Sequence, residues 1–169
     1  MDIGLLLLRL AVGLTLAAHG TQKLFGWFGG PGLRATGQFF TVLGFPSGRR
    51  HALMAALGET LSGVLLAIGL ATPAAAAIFV SVMLVAVVTV HLSKGFFAHN
   101  GGYEYAFVLA VAALTLAFTG PGSLSLDAIL GLERSGAVWG VAALLGGVVG
   151  GGTALLEWRK TPVQQPVAK

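Results

Sequence analysis

From Thr60 to Ser93 the chain carries no Asp, Glu, Lys or Arg. A helix that crosses the hydrocarbon core of a bilayer needs about 20 apolar residues, so this stretch accounts for most of two crossings. The one interruption, Gly69-Leu70-Ala71-Thr72-Pro73, reads as a tight turn with Thr72 placed to cap and Pro73 as the first helical residue. Two uncharged crossings back to back point to a polytopic protein of the bilayer.

Composition supports this reading. Apolar residues make up 56% of the chain and charged residues 9%, against about 25% charged in soluble domains; mean hydropathy is +0.87. At 169 residues the chain is one small domain, and it contains no cysteine. That excludes the quinone-coupled disulfide chemistry of some small membrane bundles, and thiolate metal sites with it. The net charge of +4 is accounted for by membrane topology and implies no nucleic-acid partner.

Five stretches qualify as spans: Ile3 to Leu24, Ala52 to Leu70, Pro73 to Leu92, Tyr103 to Thr119 and Ser135 to Leu156. The expected fold is therefore all-α, a polytopic transmembrane helical bundle. The last span is rich in glycine, and Gly136/Gly140, Gly146/Gly150 and Gly147/Gly151 have the spacing that lets membrane helices approach closely, which suits a homo-oligomer contact. Between the first two spans, Leu33, Phe39, Phe40 and Leu43 suggest a short amphipathic helix at the interface, with Trp27 at headgroup depth. The first span is not expected to be a cleaved signal peptide, because it lacks a basic leading region and contains Arg9 and His19. The tail from Thr161 is expected to be disordered.

Basic residues orient the bundle. With five spans and an outside N-terminus, eight lie inside (Lys23, Arg34, Arg49, Arg50, Lys94, Arg159, Lys160, Lys169) and one, Arg134, outside. This asymmetry predicts an inner-membrane protein with a cytoplasmic C-terminus.

Ionisable residues within spans mark candidate function. Arg9, His19 and Lys23 share one face of the first helix at 100° per residue. Alternating crossings gather His19, Lys23, Glu59, His91, Tyr103 and Glu104 toward one leaflet. Simpler roles compete: Lys23 snorkelling to headgroups, Tyr103 anchoring at the interface, and Glu104 complementing a helix N-terminus. Glu59 and Arg9 differ in depth by roughly 6 Å, so a pair between them is expected. His19 and His91 lack the ligand spacing of a haem or metal site, and no metal is expected.

The same residues carry a family resemblance. His19-Gly20-Thr21-Gln22-Lys23-Leu24-Phe25-Gly26-Trp27-Phe28-Gly29-Gly30 resembles the signature that follows the first helix of DoxX family membrane proteins. Glu59, His91-x-x-x-Gly95-Phe96-Phe97, Gly101-Gly102-Tyr103-Glu104 and Gly120-Pro121-Gly122 continue that pattern in order. The resemblance implies a four-helix core over residues 1–132, with an interfacial loop at 25–51. An additional glycine-rich helix at 133–158 and a basic tail at 159–169 lie outside it. It also implies a link to redox chemistry. The family name derives from similarity to a subunit of an archaeal thiosulfate:quinone oxidoreductase. A mycobacterial member is linked to a membrane complex with superoxide dismutase and a thiosulfate sulfurtransferase.

Three functions follow. One is a quinone-linked redox subunit in which His19, Glu59 and His91 handle protons while Arg9, Lys23, Tyr103 and Glu104 bind the substrate. Another is a membrane scaffold that recruits redox partner proteins through the Phe25–Arg50 and Lys94–Gly102 loops. The third is a small-solute transporter. Quinone that co-purifies at stoichiometric levels separates the first from the others.

Overall fold

The computed structural model describes residues 2–158. The expected disordered tail and the inner placement of Arg159, Lys160 and Lys169 therefore lie outside the described residues. Among the described residues seven α-helices form: α1 (Asp2–Phe25), α2 (Gly32–Val42), α3 (Gly48–Ile68), α4 (Thr72–Ala86), α5 (Glu104–Thr119), α6 (Leu126–Ile129) and α7 (Ala137–Leu156). Between α4 and α5 the chain continues through a π-helical turn, Val87–His91. There is no strand among the described residues.

Four helices are long and apolar enough to cross a membrane: α1, α3, α7, and α4 with its continuation to Lys94. The fourth expected span, α5, has 16 residues and is about 24 Å long at 1.5 Å per residue. Large apolar side chains lie exposed along whole faces, such as Ile3, Leu7, Leu10 and Leu14 on α1 and Leu53, Leu57, Leu61, Val64 and Ile68 on α3. These stripes at helical spacing present hydrocarbon outward, as a bilayer requires.

Small residues set the packing. A Cβ on Gly13 would lie 2.5 Å from the Gly63 carbonyl and 2.6 Å from Ala67 N. One on Gly20 would lie 2.6 Å from Thr60 N. Backbone contact at both positions locks α1 antiparallel against α3. In this register Glu59 is level with His19, and Arg9 is level with Gly69.

On α7 the buried residues are Gly140, Ala143, Gly147 and Gly151. Gly140 faces the Phe118 ring, Gly147 faces Val80 and Gly151 faces Leu84. Of the expected close-approach glycines, all but Gly136, where a Cβ would have nothing within 4 Å, lie against α4 or α5 and help seat α7 there.

Asp127 ties off the α3–α4 end of the bundle. Its buried carboxylate accepts hydrogen bonds from Ala71 N (2.8 Å), Thr72 N (3.0 Å) and the Thr72 hydroxyl (2.8 Å). This corrects the expected capping by Thr72. The helix already begins at Thr72, and its free N–H groups are met by a carboxylate 55 residues away in sequence, a charge that also suits the positive end of the helix.

Candidate functional site

At the opposite end lies a cavity of about 330 Å³, within the size range of ligand pockets. Helix α3 supplies His51, Met54, Ala55, Gly58 and Glu59, an i, i+3, i+4, i+7, i+8 face that points one way for purely geometric reasons. Lys23 enters from α1, Val85 and Ala86 from α4, His91 from the π turn, and Gly150 and Ala154 from α7. Phe39, Phe40 and Phe45 close the side toward α2. The lining is apolar apart from a few convergent polar groups.

Chief among these is an ion pair. Lys23 Nζ donates to Glu59 Oε2 at 2.5 Å, with side-chain exposures of 26% and 6%. Two charges facing each other in a mostly apolar lining hold one another in place, because the Glu59 carboxylate is too enclosed to be stable alone. The close contact of Gly20 with Thr60 brings the two helices near enough for the pair to form.

His91 is fixed from outside the cavity. Its Nδ1–H donates to the Gly101 carbonyl at 2.7 Å. A carbonyl can only accept, so Nδ1 carries the proton and Nε2 is left as an acceptor in the neutral ring. The His91 backbone belongs to the π turn, whose wider winding re-aims side chains and is frequent at functional sites. The loop that holds His91 is itself stapled. Tyr103 N donates to Gly95 O (3.1 Å), Glu104 N to Phe96 O (2.8 Å), and Ala98 N to Glu104 Oε2 (2.9 Å).

Of the residues expected to converge, Lys23, Glu59 and His91 line the cavity together. His19, Arg9, Tyr103 and Glu104 are not among its lining residues. His19 sits edge-on to Tyr105, with ring centroids 6.1 Å apart. Tyr103 packs its ring against Phe96, and the Glu104 carboxylate holds the loop rather than facing a ligand.

The expected Arg9–Glu59 pair is corrected. Arg9 is buried and Nη2 donates to the Leu124 carbonyl; the guanidinium lies against Gly69. Glu59 pairs with Lys23 instead. Depth estimated from span boundaries is blind to helix register. The α1–α3 register puts ten residues of α3, about 15 Å of rise, between Glu59 and the level of Arg9.

Sequence reasoning missed His51. It is buried, Nδ1 lies 3.0 Å from Ser47 O and Nε2 3.2 Å from the Glu157 carboxylate. Glu157 also meets Arg50 at 3.4 Å, and Trp158 Nε1 donates to Leu43 O at 2.7 Å. The end of α7 is thus latched over the cavity. The available signal was the eight-residue separation of His51 from Glu59, which places both on one helical face. His51 lies one residue before the expected start of the second span at Ala52, outside the stretch in which ionisable residues mark candidate function.

Comparison with known proteins agrees with this architecture. The DoxX family model matches residues 4–92. A Bacillus subtilis (strain 168) protein described as "Putative oxidoreductase CatD" is 34% identical over 126 residues, covering 75% of this chain and 86% of the relative. No solved structure matches the chain. The matched segment spans α1 through the π turn and so includes Lys23, Glu59 and His91; the chain belongs to the DoxX family.

Proposed function

We propose that this DoxX family membrane protein is the quinone-binding subunit of a membrane redox system. The observation that carries the reading is that the Lys23–Glu59 pair and His91 line one mostly apolar cavity. A quinone has the matching chemistry: a flat apolar ring with two carbonyl oxygens that become negative on reduction. The Lys23 ammonium stabilises that developing charge. His91 exchanges a proton at Nε2, and Glu59 relays protons through Lys23. Reduction to the quinol consumes two electrons and two protons. The electrons come from a partner redox protein or a second substrate, and the protons pass through these side chains.

The relative's oxidoreductase description supports this class of chemistry. The eight-to-one basic asymmetry supports an inner-membrane setting with the N-terminus outside and the C-terminus in the cytoplasm, which puts the cavity in the inner half of the bilayer. The roles first considered for His19 and Arg9 pass to His91 and Lys23.

The test is equilibrium binding of a short-chain quinone to the purified protein in mild detergent. Saturable one-to-one binding to the wild type, weakened about tenfold or more in Glu59→Gln and His91→Phe, is the expected outcome. Equal binding by all three proteins would remove the cavity from the reading.

A further inference from the structure

A second concavity lies on the far side of α2, at the same end of the bundle. It encloses about 430 Å³ and is lined by Leu33, Arg34, Gly37, Gln38, Thr41 and Arg49. Arg34, Gly37, Gln38 and Thr41 are spaced i, i+3, i+4, i+7, so they form one polar face of α2. Arg49 reaches the same groove from the first turn of α3. The two helices are held together by glycine: a Cβ on Gly37 would lie 3.1 Å from the Arg49 Cα. The arginines therefore approach one site from two fixed backbones.

Neither Arg34 nor Arg49 has a carboxylate partner among the described residues, whereas Lys23 and Arg50 are paired with Glu59 and Glu157. Two unpaired guanidiniums, with Gln38 lining the same groove, suit a phosphate, because each fork can give two parallel N–H bonds to its oxygens. Position decides which phosphate. The groove lies where a membrane-spanning helix begins, at headgroup depth; Leu33 lines it, and Val42, next to Thr41, is about half exposed. These offer an apolar flank to the upper part of an acyl chain.

We propose that this groove binds the headgroup of an anionic phospholipid, with the phosphate between Arg34 and Arg49 and the lipid tail descending beside Leu33 and Val42. Basic pockets at helix ends select such lipids over zwitterionic ones by charge and by bidentate geometry together. The site is separate from the quinone cavity and does not depend on it.

Native mass spectrometry of delipidated protein in non-ionic detergent, titrated with phosphatidylglycerol or phosphatidylcholine, tests this. The wild type should retain phosphatidylglycerol in preference. Arg34→Gln/Arg49→Gln should lose about 30-fold in that affinity, each single variant less, while the charge-matched Arg50→Gln/Lys94→Gln should change by under threefold. Unaltered binding in Arg34→Gln/Arg49→Gln, or an equal loss in both double variants, overturns the proposal. Displacement of the lipid by glycerol phosphate at equal concentration would overturn the assignment to a lipid. Helical circular dichroism of each variant verifies that the fold is intact, and the exposed single variants serve if a double variant fails it.

Discussion

Breaking the Lys23–Glu59 pair from either side should cost unequal amounts of stability. Removing one partner of a buried pair costs about 3–5 kcal/mol because the survivor is stranded. Glu59 is 6% exposed and Lys23 26% exposed. In Lys23→Met the stranded group is the more enclosed of the two, a carboxylate on a short stem, so the cost should be about 3 kcal/mol. In Glu59→Gln the stranded group is an ammonium on a flexible stem that can swing toward the headgroups, so the cost should fall to about 1.5 kcal/mol. For a chain of this length those losses correspond to roughly 9 °C and 5 °C in Tm. The double variant Lys23→Met/Glu59→Gln leaves no charge stranded and should be no less stable than Lys23→Met, a coupling of about 1.5 kcal/mol or more. Thermal melts of the four proteins in one detergent measure this. Additive losses, or a Glu59→Gln variant less stable than Lys23→Met, would refute the reasoning.

Further tests address the scaffold. Gly13→Ala should lower stability by about 2 kcal/mol, since its Cβ meets backbone atoms of α3. Gly152→Ala, with nothing within 4 Å, should raise it by a few tenths of a kcal/mol through helix propensity; thermal melts compare the two directly. Asp127→Ala removes three hydrogen bonds at the start of α4 and should cost about 3 kcal/mol in denaturant titration. Trp158→Phe removes the bond to Leu43 O and should cost about 1 kcal/mol, with hydrogen exchange rising first in the last turn of α7.

Much of the fold is legible in the sequence because the bilayer enforces simple rules. Long apolar runs become helices: α1 lies within one residue of each expected end, and α2 forms where Leu33, Phe39, Phe40 and Leu43 imply an amphipathic segment. Which residues meet is less legible. Arg9 and Glu59 lie at similar calculated depths, yet the glycine contacts of α1 with α3 fix a register that pairs Glu59 with Lys23. Asp127 carries no local signal of its partners, and only the return of the 120–127 segment over the α3–α4 turn gives it a helix to cap. The gathering of Lys23, Glu59 and His91 at one end follows from alternating crossings. His19, one turn from Lys23, instead meets Tyr105, because helix phase rather than depth decides which neighbour a side chain finds. The latch of Glu157 and Trp158 on His51 and Leu43 depends on α7 lying against α4, which glycine spacing alone leaves open between an internal and an external partner.

The most direct measurement of the central claim is photolabelling with an azido-quinone in membranes, followed by peptide mapping. The account predicts labels on cavity residues of α3 and α4, such as Met54 and Val85, that are suppressed by excess unlabelled quinone and reduced in Glu59→Gln. Labelling confined to the lipid-facing stripe of Leu53, Leu57 and Leu61, with no competition by unlabelled quinone, would contradict it.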